Sequence, residues 1–164
     1  MTDDRKAQPP TSTDAQTKPQ QQVVPDWIVE HLREYGENPE KAHLMDTSAL
    51  GGPTQTPTLL LTTRGRKTGR MLTMPLIYGK DGDDYVIVGS KGGAAQNPGW
   101  MFNLEADPNV GVQVVRDRFD AVARITTGAE RARLWDMMVG VYPPYTKYQL
   151  RTPREIPVVV LSRK

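Results

Sequence analysis

The sequence predicts an α+β protein whose sheet is an antiparallel barrel. Three observations lead there: six short runs with strand character, turn residues that join most of these runs as hairpins, and helical segments interspersed without the strict strand–helix alternation of a parallel sheet. A chain of 164 residues is long enough to bury one sizeable core.

Residues 1–22 are rich in Gln, Pro, Thr and Asp and hold almost nothing apolar, so a disordered tail is expected there, with residues 23–164 as one domain. From Pro25 onward, Trp27, Ile28, Leu32 and Tyr35 recur at helical spacing, and Gly36 supplies a stop. The polar face of this helix carries Asp26, Glu30 and Glu34, which disfavours an anionic membrane surface and favours packing of Trp27 into the core. Asn38-Pro39 starts a second helix through Met45, and the Gly- and Pro-rich stretch from Asp46 to Pro57 reads as loop. Three strands follow: Thr58–Thr62, Met71–Tyr78 and Tyr85–Val88. The first two are joined by the cationic turn Arg64-Gly65-Arg66-Lys67-Thr68-Gly69 and the last two by Asp81-Gly82.

Asn97-Pro98 reads as N-cap and first position of a helix with Trp100, Met101 and Leu104, which ends near Ala106. Val110–Val114 and Phe119–Ile125 alternate with period two and form a hairpin about Asp117-Arg118. Thr127 and Glu130 have capping-box spacing ahead of a helix that carries Leu134, Trp135, Met138 and Val141. Tyr142-Pro143-Pro144-Tyr145-Thr146-Lys147-Tyr148 halts that helix and presents three tyrosines. The last strand is Ile156–Leu161, where Pro157 fits only an edge or the first residues.

The net charge of +2 is too small to imply a nucleic-acid partner, and the cations gather at one turn where a nucleic-acid groove would spread them. Without Cys there is no disulfide framework, thiolate nucleophile or Cys-based metal site. No apolar stretch approaches the ~18 residues of a membrane span, and no signal-like core stands at the N-terminus, so a cytoplasmic location is expected.

Arg64, Arg66 and Lys67 repel one another across four residues, and an anion among them would reverse the sign of that interaction. Gly89-Ser90-Lys91-Gly92-Gly93 at a strand end offers backbone N–H groups, a hydroxyl and a fixed positive charge, a combination that suits phosphate. Neither stretch has P-loop spacing, and no dinucleotide fingerprint is present. His31 and His43 lie in the acidic helical region, remote in sequence from Ser90. A Ser-His-Asp triad or a His metal site is therefore not expected, and each His reads as a surface or capping residue. Phosphate-binding features and aromatic rings without a strong acid or base point to chemistry carried by a cofactor. Tyr142, Tyr145 and Tyr148 either donate a proton or hydrogen bond to substrate or merely cover the barrel mouth; the sequence leaves both readings open.

Five motifs carry a resemblance: Leu-Leu-Thr-Thr-Arg-Gly-Arg-Lys-Thr-Gly (60–69), Ser-Lys-Gly-Gly-Ala (90–94), Asn-Pro-Gly-Trp (97–100), Tyr-Pro-Pro-Tyr (142–145) and Ile-Pro-Val-Val (156–159). In order and spacing they resemble the deazaflavin-dependent nitroreductase family of split β-barrel flavin-binding proteins. The resemblance implies a six-stranded antiparallel split barrel that binds reduced deazaflavin coenzyme F-420, with its phosphate and glutamate tail, and passes hydride to a quinone, activated alkene or nitroaromatic. Carried over, Arg66, Lys67 and Thr68 hold the anionic part, and Ser90 and Lys91, after Val88 and Gly89, meet the coenzyme at the strand end. Leu72, Thr73, Met74, Pro75, Leu76 and Ile77, with Gly99, Trp100, Met101, Phe102 and Asn103, flank its ring and linker. Tyr145 matches a tyrosine at the active-site mouth and contacts coenzyme and substrate, with Tyr142, Tyr148 and Ser90 as further proton sources. Leu72 stands where relatives often carry Arg. FMN is the alternative cofactor, by likeness to pyridoxine-phosphate-oxidase-type barrels. Partners are limited to a small-molecule substrate, with peripheral membrane contact if that substrate is a lipophilic quinone, and the chain is expected as a monomer or weak dimer.

Overall fold

The computed structural model describes residues 24–164, so the segment expected to be a disordered tail lies outside the described residues. In chain order its elements are α1 (Asp26–Glu37), α2 (Pro39–Ala42), β1 (Leu44–Met45), β2 (Thr56–Arg64), β3 (Met71–Asp81), β4 (Asp84–Val88), α3 (Gly99–Ala106), β5 (Asn109–Val114), β6 (Asp117–Ile125), α4 (Gly128–Val141), α5 (Tyr145–Leu150) and β7 (Val158–Arg163). Antiparallel pairing runs β2–β3–β4–β7–β6–β5, and β5 pairs back onto β2 through Leu61↔Val112, closing the barrel expected from the sequence; β1 adds a short extra pair on β2.

Alternation decides what each strand faces. Leu59, Leu61, Ile87, Val110, Val112, Ala121, Ala123, Val159 and Leu161 fill the interior, which Trp100, Met101 and Leu104 of α3 close at one end. The other faces of β4 and β7 present Val86, Val88, Val158 and Val160 to Leu134 and Met138 of α4 and to Tyr142 and Tyr145. Leu60 meets Tyr35 and Ala42 of the N-terminal helices. Strand polarity then gathers the turn between β2 and β3, the loop after β4, α3 and the segment before β7 at one end of the barrel.

The structure corrects several local expectations. The second helix stops at Ala42, because Leu44 and Met45 pair with Pro57 and Thr56; the expected loop accordingly ends at Thr56 and holds a 3-10 turn at Ser48–Leu50. The first helix runs through Gly36 to Glu37, buries Ile28, His31 and Tyr35, and leaves Trp27 55% exposed. His31 is buried, its Nε2 donating to the Ala42 carbonyl at 2.9 Å, whereas His43 is the C-cap of α2, one of the expected roles, with its Nε2 2.6 Å from the Tyr78 hydroxyl. The helix after Asn97 starts at Gly99, without a side-chain cap from Asn97, whose side-chain oxygen Oδ1 accepts from Arg154 instead. The expected capping box does not form: Thr127 makes no side-chain cap bond, and the Glu130 carboxylate is paired with Arg124. The segment that halts α4 forms a further helix, Tyr145–Leu150, and β7 begins after Pro157 and extends to Arg163.

Candidate active site

The cationic turn is built by two short bonds, Gly65 N–H to Arg70 O at 2.7 Å and Gly69 N–H to Gly65 O at 2.8 Å. Arg66 is anchored there: its backbone N–H and its guanidinium both donate to Asn103 Oδ1, at 3.2 and 3.1 Å, and Asn103 Nδ2 donates to Thr63 at 3.1 Å. The same guanidinium sits 5.0 Å from the Phe102 ring centroid. Lys67 and Arg70 are exposed and have no acidic partner among the described residues, whereas Arg64 has Asp107 at 3.7 Å. The turn therefore presents uncompensated positive charge from a base fixed to α3.

The loop after β4 is a concavity of backbone donors. Ser90 is right-handed, and Lys91, Gly92 and Gly93 follow at φ +45°, +62° and +81°. A right-handed residue followed by a left-handed one turns successive amides to the same side, an arrangement that suits an anion. The N–H groups of Ser90, Lys91 and Gly92 make no hydrogen bond among the described residues. The Lys91 side chain is exposed beside them.

Three tyrosines stand next to this loop. Tyr142 and Tyr145 are 2% and 3% exposed, and their rings meet edge-on at 4.9 Å. The Tyr142 and Tyr148 hydroxyls are 2.8 Å apart, while the Tyr145 hydroxyl makes no hydrogen bond among the described residues. Burial pushes the Tyr142 and Tyr145 phenols well above the ordinary tyrosine value, so both stay protonated donors at any working pH. The loop before β2 covers this cluster: a Cβ on Gly52 would lie 2.7 Å from the Tyr142 ring.

Direct contacts join these parts. Arg66 binds Asn103 of α3, a Cβ on Gly89 would stand 3.0 Å from Met101 of α3, and a Cβ on Gly93 would stand 2.5 Å from the Tyr148 carbonyl oxygen of α5. Lys67, Thr68, Leu72, Lys91 and Gly99 are exposed, and Ser90, Thr73 and Phe102 are half-buried, with Thr73 bonded to Thr62 at 2.8 Å. Trp100 and Met101 are committed to the barrel core, and Met74 and Leu76 pack against it. Val88 and Ile77 face α4, and Pro75, Gly89 and Asn103 are buried.

Sequence reasoning missed Arg154 and Arg151, which bond to carbonyl groups of the loop after β4. Both are separated from it by about sixty residues and are brought to it by the β4–β7 pairing and the packing of α5 on the loop. The one local sign was a charged residue placed just before the buried run Ile156–Leu161.

With this geometry in place, residues 39–163 match the family model of the F420H(2)-dependent quinone reductases. The chain belongs to that family. The F420H(2)-dependent quinone reductase Rv1261c of Mycobacterium tuberculosis is 45% identical over 115 residues, which cover 68% of this chain and 77% of that protein. The solved structure of an F420-H2 dependent reductase, FDR-A, is 40% identical with a TM-score of 0.61, covering 65% of this chain and 94% of that one. A second structure, described as a domain-swapped dimer, is 35% identical with a TM-score of 0.62 and covers 82% of this chain and 98% of its own. As a member of the F420H(2)-dependent quinone reductases the chain is an oxidoreductase that uses F420. The three amides and the Lys67, Arg70 and Lys91 side chains, without partners among the described residues, fit an anionic coenzyme, with no acidic side chain between residues 85 and 104 to oppose it.

Proposed function

We propose that this chain holds the anionic portion of reduced F420 between Arg66, Lys67 and Thr68 on one side and the Ser90–Gly92 amides with Lys91 on the other, and reduces a quinone beside the three tyrosines. The observation that carries the reading is the run of three amides without a partner among the described residues, at the same end of the barrel as a cationic turn anchored to α3. When bound, the coenzyme supplies a hydride, that is, two electrons and one proton. The chain supplies the remainder. A quinone oxygen gaining negative charge needs a second proton, and a phenol kept protonated by burial is suited to donate it. Tyr145 is the first donor because its hydroxyl is uncommitted, whereas Tyr142 and Tyr148 bond to each other. Helix α5 and the Gly51-Gly52 segment shield these hydroxyls from bulk water.

The experiment is to mix the protein with reduced F420 and a quinone and follow bleaching of the reduced coenzyme. Absence of tight F420 binding in both redox states would remove the reading, and FMN binding in its place would redirect it to a flavin enzyme. For a lipophilic quinone the proposal extends to peripheral membrane contact, for which exposed Trp27 and Leu50 supply apolar anchors; flotation with vesicles tests this. The reading takes the chain as a monomer or weak dimer, to be checked by sedimentation.

A further inference from the structure

Arg154 is half-buried, and its guanidinium is spent almost entirely on one loop. Nε donates to Ala94 O at 2.8 Å, Nη1 to Gly89 O at 3.2 Å and to Asn97 Oδ1 at 2.7 Å, and Nη2 to Ser90 O at 2.8 Å. It has no carboxylate partner among the described residues, so its charge is answered only by these dipoles. A peptide unit is planar and trans, with C=O and N–H pointing in opposite directions. Drawing the Gly89 and Ser90 carbonyls toward Arg154 therefore turns the N–H groups of Ser90 and Lys91 away from it, toward the open side. These are two of the three amides that remain unpaired. Arg151 donates to Gly92 O at 3.2 Å, in the peptide unit whose Gly93 N–H already bonds Ser90 O at 2.9 Å, so it braces the loop without orienting the free amides.

We infer that Arg154 is the positioning residue of the anion site: it orients the Ser90 and Lys91 amides toward the coenzyme phosphate and places its own charge directly behind them. It touches neither coenzyme nor substrate. The inference rests on the coenzyme reading above. It assigns the affinity for the phosphorylated part of the coenzyme to a residue outside the pocket. An alternative purely structural role would make Arg154 a brace for the barrel end, whose loss would loosen every contact of the pocket alike.

The test compares two ligands on folded protein. Wild type, Arg154→Gln and Arg154→Lys are titrated by fluorescence with oxidised F420 and with the same deazaflavin lacking phosphate and glutamate tail, and thermal melting is recorded for each protein. The expected result is a loss of about tenfold or more in F420 affinity for Arg154→Gln, the size of one charge-assisted hydrogen bond, with affinity for the phosphate-free ligand changed by less than about twofold. Arg154→Lys keeps the charge but cannot span four acceptors, so it should lie between. Equal losses on both ligands, or no loss on F420, would overturn the inference. If Arg154→Gln does not fold, the Lys variant decides by the same comparison. A wild type that binds neither ligand would remove the coenzyme reading itself, an outcome distinct from a wild type that binds F420 and a variant that binds it equally well.

Discussion

The Tyr142 and Tyr148 hydroxyls lie 2.8 Å apart and share one hydrogen bond, while the Tyr145 ring meets both of their rings edge-on and its hydroxyl has no partner among the described residues. Tyr145→Phe keeps the packing and removes the uncommitted donor. Turnover with a quinone should fall about a hundredfold, the lower range for loss of a positioned acid, with F420 affinity unchanged; stopped-flow and fluorescence titration separate the two. Tyr148→Phe should instead leave the buried Tyr142 hydroxyl without its partner and cost about 1–2 kcal/mol in denaturant unfolding.

Lys67→Met should weaken F420 binding by about 10- to 150-fold, the range for one charge-assisted contact, and leave the melting temperature in place because Lys67 bonds to nothing in the described fold. Arg66→Met should lower both, since Arg66 also ties the turn to Asn103. Unchanged coenzyme affinity in Lys67→Met would reduce the turn to a solvated surface.

Stability should decline as pH falls below about 6.5. Burial holds the His43 imidazole below its ordinary value, and the Tyr78 phenol beside it is pushed up to about 12, so the neutral ring accepts the phenolic proton at 2.6 Å. The unfolded chain then binds a proton that the folded one resists, so this stability is present above the ordinary histidine value and lost as pH falls toward the folded one. His43→Gln should flatten the unfolding free energy between about pH 7 and 5. The carboxylates held low by arginine partners, such as Glu40 and Asp81, titrate further down.

Val115 sits at φ +56°, a conformation that a β-branched residue rarely adopts, and its N–H donates to the Tyr35 hydroxyl at 2.9 Å. Val115→Gly should raise stability by about 1 kcal/mol, the difference between relieved strain and added chain entropy. Tyr35→Phe should lower it by a similar amount, since the hydroxyl also donates to Thr58 O. Chemical denaturation of the two variants checks both signs.

The barrel was legible because short apolar runs, two of them alternating with period two, are joined by turn residues, and the anion site because glycine and charge cluster within a few residues of chain. What escaped was decided by long-range competition. Asn97 and Glu130 have capping chemistry, but Arg154 and Arg124 hold their oxygens. Trp27 follows the apolar spacing of α1, yet His31 takes the buried place because the Ala42 carbonyl and the Thr58 hydroxyl give its ring polar partners inside. A strand of two residues, as in β1, carries no period for a sequence pattern to show.

The hydrogen of Gly93 occupies the space where a methyl would strike the Tyr148 carbonyl at 2.5 Å, so the amide loop and the tyrosine helix rest on each other with nothing between. Two sites that share one contact also share the free energy of ordering it. An occupant that settles the loop lowers the ordering cost for an occupant beside α5, and the two affinities must change by one common factor. The affinity ratio for a quinone with and without saturating oxidised F420 should therefore equal the ratio for F420 with and without saturating quinone. Gly93→Ala, by wedging the two surfaces apart, should bring both ratios to one.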